Sequence, residues 1–145
     1  MSTKIRCFIA LDLSHHLKTH IAELRRKIFH DNTNIRWVPY DNLHITLKFL
    51  GDTSPTTVNR LIKTLSHFKP PCESMTILIN QLGYFPENKR PHVIWIKAKH
   101  HSALLDTFEQ LERTLALIGV AKEKRTFKPH ITIGRVKKTC LLPHE

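Results

Sequence analysis

Hydrophobic and polar positions alternate most cleanly over Asn42-Leu43-His44-Ile45-Thr46-Leu47-Lys48-Phe49-Leu50. Side chains on a strand project to opposite sides at every second residue, so Leu43, Ile45, Leu47 and Phe49 fall on one side and His44, Thr46 and Lys48 on the other. One side packs on a core while the other offers an imidazole, a hydroxyl and an ammonium. A second strand with this chemistry follows at His130-Ile131-Thr132-Ile133.

The remaining segments separate by period. Ile5 to Leu13 is short and apolar on both faces, the pattern of a buried strand. Ser14 is placed to cap a helix carrying Leu17, Ile21, Leu24 and Ile28 at helical spacing. Asp31-Asn32-Thr33-Asn34 breaks it, and Ile35 to Val38 is a brief extended piece ended by Pro39. Ser54-Pro55 opens a second helix with Val58, Leu61, Ile62, Leu65 and Phe68. Met75, Ile77 and Ile79 alternate with Thr76, Leu78 and Asn80 as a strand over 74–82, and Gly83-Tyr84-Phe85-Pro86 begins a loop running to Pro91. Val93 to Ala98 is another two-sided apolar strand. Leu104, Phe108, Leu111, Leu115 and Ile118 make a third helix that Gly119 is placed to end. A basic loop, Ala121 to Lys128, leads through Pro129 into the second His-x-Thr strand.

This order contains a repeat. Phe8 to His44 and Ile94 to His130 are equal intervals, each running strand, helix, loop, His-x-Thr strand. The expected organisation is one domain over residues 1–145 built on that duplication, with two similar halves bringing both His-x-Thr faces into one cleft. Counterparts of the second helix and of the strand after it would run past Glu145, so the second half is either built differently or shortened.

Composition narrows the partners. Lys and Arg number 23 against 12 Asp and Glu, a formal charge of +11 that favours polyanions, nucleic acid first. The three cysteines, Cys7, Cys72 and Cys140, are scattered without metal-ligand or disulfide spacing. The apolar run near Phe8 is short and meets Asp12, which is not a signal-peptide pattern, and no stretch is long enough to span a membrane. A cytoplasmic monomer with no membrane association is the expectation.

Two His-x-Thr strands suit phosphodiester cleavage. An unperturbed imidazole titrates at about pH 6.5, so one can take a proton from water while another gives one to the leaving oxygen. A threonine two positions on shares the histidine's face and can donate to a non-bridging phosphate oxygen. This chemistry requires no metal or cofactor. Strict alternation turns Arg135 away from His130 and Thr132, but Gly134 is a candidate bulge that would turn Arg135 back.

With these residues in view, the chain resembles the 2H phosphoesterase superfamily, and within it the RNA 2′,3′-cyclic phosphodiesterases also called 2′-5′ RNA ligases. The resemblance rests on Arg6-Cys7-Phe8-Ile9-Ala10-Leu11, Arg36-Trp37-Val38, Asn42 to Gly51, Phe127 to Ile133, and Arg135. It implies an α+β, two-lobed, pseudo-symmetric fold, with antiparallel sheets lining a central cleft and helices outside. It implies opening of an RNA 2′,3′-cyclic phosphate end to a 2′-phosphate, with the reverse 2′-5′ ligation as a variant of the same site. The family's catalytic positions fall on His44, as proton donor, and His130, as proton acceptor. Its phosphate-binding positions fall on Thr46, Thr132 and Arg135.

Weaker candidates are Lys48 and Lys128 for phosphate or RNA backbone, and Tyr84 and Phe85 for stacking a terminal base. Lys48 reads nearly as well as a solvated strand lysine, and Lys122, Lys124, Arg125 and Lys128 as a solvated loop. Phe8 and Trp37 read better as core. His16 and His20 lie one helical turn apart without an accompanying zinc motif, and His100-His101 lies at a helix start; surface positions are expected for all four. A non-catalytic RNA-binding module with the same fold is the rival function, and a small cyclic nucleotide or ADP-ribose cyclic phosphate the rival substrate. Hydrolysis in EDTA separates enzyme from binding module.

Overall fold

The computed structural model of the chain describes residues 3–87, 90–99, 101–138 and 142–143. The strands are β1 (Ile5–Asp12), β2 (Ile35–Trp37), β3 (His44–Thr53), β4 (Ile79–Phe85), β5 (Val93–Ala98) and β6 (His130–Val136). The helices are α1 (His15–Phe29), α2 (Pro55–Ser66) and α3 (Ser102–Ala116), and a 3-10 turn, Tyr40–Asn42, precedes β3. The fold is α+β. The strands join in one six-stranded sheet of order β1-β3-β6-β5-β4, with β2 also on β6. The β2·β6, β3·β6, β4·β5 and β5·β6 ladders are antiparallel. The order reads outward from a β3/β6 seam, so each His-x-Thr strand has the first strand of its own half on its far side.

The helix ends follow from local chemistry. Ser14 Oγ accepts from the Leu17 N–H at 3.2 Å, and Ser54 Oγ accepts from the Thr57 N–H at 3.2 Å with Pro55 in the first turn. Each cap satisfies a donor that the helix leaves unpaired, worth about 1 kcal/mol. His30 closes α1 in the left-handed region at φ 48°, and the chain turns through Gly119 at φ 87° after α3. His101 caps α3, its Nδ1 accepting from the Ala103 N–H at 3.2 Å. His100 and Cys140 lie outside the described residues.

The chain divides into two compact units. The first is Met1–Ile9, Leu47–Ile77 and His100–Lys128. It buries Leu61, Leu104, Leu111 and Leu115, and stacks Phe108 on Phe127 at 4.3 Å. The second is Ala10–Thr46, Leu78–Lys99 and Pro129–Glu145. Its sheet turns Ile45, Ile94, Ile96, Ile131 and Ile133 inward, with Ile45, Ile94 and Ile131 at 0% exposure. Full burial of each such side chain stabilises by roughly 1.5–3 kcal/mol. Helix α1 buries Ile21 and Phe29, the latter edge-on to Trp37 at 5.1 Å.

Two expectations change here. The two-sided apolar pattern of Ile5 to Leu13 predicts burial on both faces, but β1 ends the sheet order and none of its residues is buried. Phe8 is half-exposed and meets the exposed Phe49 ring at 6.3 Å, so it is not a core residue. The fourth strand covers Ile79–Phe85 rather than 74–82, which takes Gly83, Tyr84 and Phe85 out of the expected loop. The reason is packing: Gly83 lies opposite Trp95, and a Cβ there would overlap the indole ring. The glycine admits a neighbour's side chain instead of making a turn.

Candidate active site

The two His-x-Thr motifs meet on neighbouring strands of the second unit. Ile45 pairs with Ile131 in the antiparallel β3·β6 ladder. Carried one residue either way, that register sets His44 opposite Thr132 and Thr46 opposite His130. All four residues are half-buried, on the sheet face opposite the buried Ile45 and Ile131. The histidines are diagonal neighbours, which strand geometry spaces by roughly 7–8 Å. A tetrahedral phosphate fits between imidazoles so spaced.

His44 has a defined tautomer. Its Nδ1 is 2.6 Å from the Asn42 carbonyl oxygen, which only accepts, so Nδ1 carries a proton. Its Nε2 lies 3.1 Å from Thr46 Oγ1. Asn42 is the last residue of the 3-10 turn, so the bend that starts β3 also orients the ring. Nearby, Asp12 Oδ1 pairs with the buried Lys18 ammonium at 2.8 Å. The Lys18 hydrogen bond, and next the Leu13 N–H, hold the Asp12 carboxyl below the ordinary carboxylate range, with a smaller effect from His44.

An aromatic neighbour stands against His130. The Trp95 ring stands edge-on to it at 6.0 Å. Buried Pro129 ties the start of β6 to β5 through its carbonyl, which accepts from the Ala98 N–H at 3.1 Å.

The β5·β6 ladder bears on Arg135. Trp95 pairs with Thr132 but Ile94 with Gly134, leaving an extra residue on β6. This bulge reverses the alternation, and Arg135 pairs with Val93, which shares its face with Trp95. Arg135 thus lies on the face of His130 and Thr132, exposed. Gly134 suits the bulge because a Cβ there would meet Ile35 at 2.8 Å and Trp37 at 2.9 Å.

Other candidates separate. Phe85 pairs with Val93, so it shares the site's face, and it is 63% exposed. Tyr84 pairs with Ile94 on the opposite face, and its hydroxyl donates to the Pro143 carbonyl at 2.6 Å. That geometry does not offer the ring to a base at this site. Lys48 is not a solvated lysine. It is 7% exposed and its ammonium is held by Glu112 Oε1 and the Ala121 carbonyl, each at 2.7 Å. Glu112 Oε2 in turn accepts from the Glu123 N–H at 2.7 Å, so this pair pins the loop after α3. Lys128 is exposed at the end of that loop. Arg125 is paired with Glu123, whose carboxyl falls to about 2, first because of the Arg125 side chain. His16 and His20 are exposed, and the described residues contain no cluster of three metal-ligating side chains. No helix among them is long and apolar enough to cross a membrane. Sequence reasoning missed Asn42 and Trp95, since a carbonyl contact and an edge-on ring depend on pairing register.

Comparison with known proteins agrees with this architecture. The model of the LigT-like phosphoesterase family matches residues 11–95, which include the first His-x-Thr strand. An RNA 2′,3′-cyclic phosphodiesterase of Thermotoga maritima is 31% identical over 92% of this chain and 71% of its own length. A crystal structure of TT0787 from Thermus thermophilus superposes with a TM-score of 0.76 at 26% identity, over 96% of this chain and 79% of that one. E. coli LigT complexed with 3′-AMP gives a TM-score of 0.72 at 27% identity, over 97% and 78%. With a family match over more than half its length and a relative this similar over most of both chains, the protein belongs to the LigT-like phosphoesterase family.

Proposed function

We propose that this protein hydrolyses RNA 2′,3′-cyclic phosphate ends to 2′-phosphates by acid–base catalysis with two histidines. The observation that carries the reading is the Ile45–Ile131 register, which sets each motif's histidine against the other's threonine. Thermotoga maritima's similar protein is named for this activity, and a nucleotide occupies E. coli LigT in one of its structures.

In the proposed reaction His130 takes a proton from water as the water oxygen bonds to phosphorus. The bond from phosphorus to the 3′ oxygen breaks, and His44 Nε2 delivers its proton to that oxygen. The products are a 2′-phosphomonoester and a free 3′ hydroxyl. The Asn42 carbonyl supports this role for His44, because a proton fixed on Nδ1 leaves Nε2 to face the leaving group. Thr46 and Thr132 hydroxyls and the Arg135 guanidinium meet the charge that develops on the non-bridging oxygens. Joining the phosphate to a 5′ hydroxyl is the same chemistry with a different acceptor.

The test is turnover of a dinucleotide ending in a 2′,3′-cyclic phosphate, in EDTA, with the product assigned by phosphorus NMR. The proposal expects a 2′-phosphate and no 3′-phosphate. Salt-sensitive RNA binding without turnover would instead make this a binding module.

A further inference from the structure

The sheet face that holds the two motifs continues one row further, and that row carries a second arginine. Arg36 of β2 pairs directly with Arg135 of β6. Cross-strand partners share a face, so both guanidinium groups rise from the side that carries His130 and Thr132. Both residues are exposed, and among the described residues neither guanidinium has an ion-pair or hydrogen-bond partner. Like charges set directly opposite on a sheet are destabilising by themselves. The fold keeps these two cations side by side on a chain of formal charge +11.

The same row runs on through Val93 to Phe85, whose ring is 63% exposed. The histidine–threonine rows lie along the strands from it, each step being about 7 Å for two residues. A terminal phosphate held by the histidines and threonines therefore leaves the next phosphodiester of an RNA chain to fall over the arginine row. Arg135 is central in that row. Arg36 lies on β2, at the side away from Val93.

We propose that Arg36 is a specificity residue, binding the phosphodiester immediately 5′ of the terminal cyclic phosphate, so that the site favours an RNA end over a mononucleotide. This rests on the cyclic-phosphate reading for the terminal phosphate alone. An arginine pair is suited to the role, because planar guanidinium groups donate in parallel to phosphate oxygens. Phe85, in the same row, offers a face for the base of that nucleotide to stack on.

The experiment compares a nucleoside 2′,3′-cyclic monophosphate with a dinucleotide ending in the same group, for wild type, Arg36→Ala and Arg36→Lys. Arg36→Ala should raise KM for the dinucleotide by about tenfold or more, as expected for losing a charge-assisted contact, with the mononucleotide constants unchanged. Arg36→Lys should recover part of the loss. Binding of a dinucleotide 2′-phosphate and a mononucleotide 2′-phosphate is measured alongside. There Arg36→Ala should weaken the dinucleotide alone and flatten its salt dependence by about 0.7 in log–log slope. Equal effects on both substrates, or none on either, would overturn the proposal. Wild type that turns over neither substrate would overturn the catalytic reading, while the binding comparison would still decide the role of Arg36.

Discussion

The two His-x-Thr strands carry the same residues and meet at one seam, yet a different kind of neighbour stands against each histidine. His44 is fixed by a backbone carbonyl two residues upstream, a contact written into the turn before β3. His130 stands against the edge of Trp95, a side chain from another strand. The first arrangement dictates which nitrogen bears the proton. The second places an aromatic edge against the ring. The proposed reaction, which both gives and takes a proton, needs the two imidazoles in unlike states.

The largest test of this contrast removes the rings. His44→Ala and His130→Ala should each lower kcat by about 10²–10⁴-fold, measured on the cyclic dinucleotide. Near wild-type turnover in either variant would break the pairing.

The next effect sharpens the boundary of the site along β3. Lys48 follows Thr46 on the same alternation but belongs to a buried ion pair. Lys48→Met leaves Glu112 buried and uncompensated, so it should cost about 3–5 kcal/mol of unfolding free energy by urea titration. Adding Glu112→Leu should recover most of that. A Lys48→Met protein of unchanged stability that has lost phosphate affinity would return Lys48 to the site.

The threonines come third. Thr46→Val and Thr132→Val keep shape and remove a donor, and each should lower kcat by about 10²-fold. Thr46→Val also removes the Nε2 contact of His44, so it should disturb the pH profile more than Thr132→Val does. Smallest is Gly83→Ala, whose methyl would push on Trp95. It should cost about 1–3 kcal/mol of stability and affect reactions limited by His130 more than those limited by His44.

Much of this was legible in the sequence because periodicity reports faces. Ile45 and Ile131 read as inward and are fully buried, while His44, Thr46, His130 and Thr132 read as a polar face and lie opposite them. Ser14, Ser54 and Pro55 announced helix starts because capping is local chemistry. What failed depended on neighbours distant in the chain. Tyr84 and Phe85 read as a loop because Gly83 and Pro86 resemble turn signals, whereas the glycine answers to Trp95 on the next strand. Lys48 read as exposed because alternation cannot see Glu112 on α3. Phe8 read as core because an apolar strand gives no sign that it lies at the end of a sheet.

The central claim is that one imidazole gives a proton while its diagonal partner takes one. The most direct measurement is kcat/KM against pH for wild type and for the residual activity of each single-histidine variant. The account predicts a bell for wild type, loss of the alkaline limb in His44→Ala, and loss of the acid limb in His130→Ala. A bell that survives in either variant with both limbs in place would contradict it.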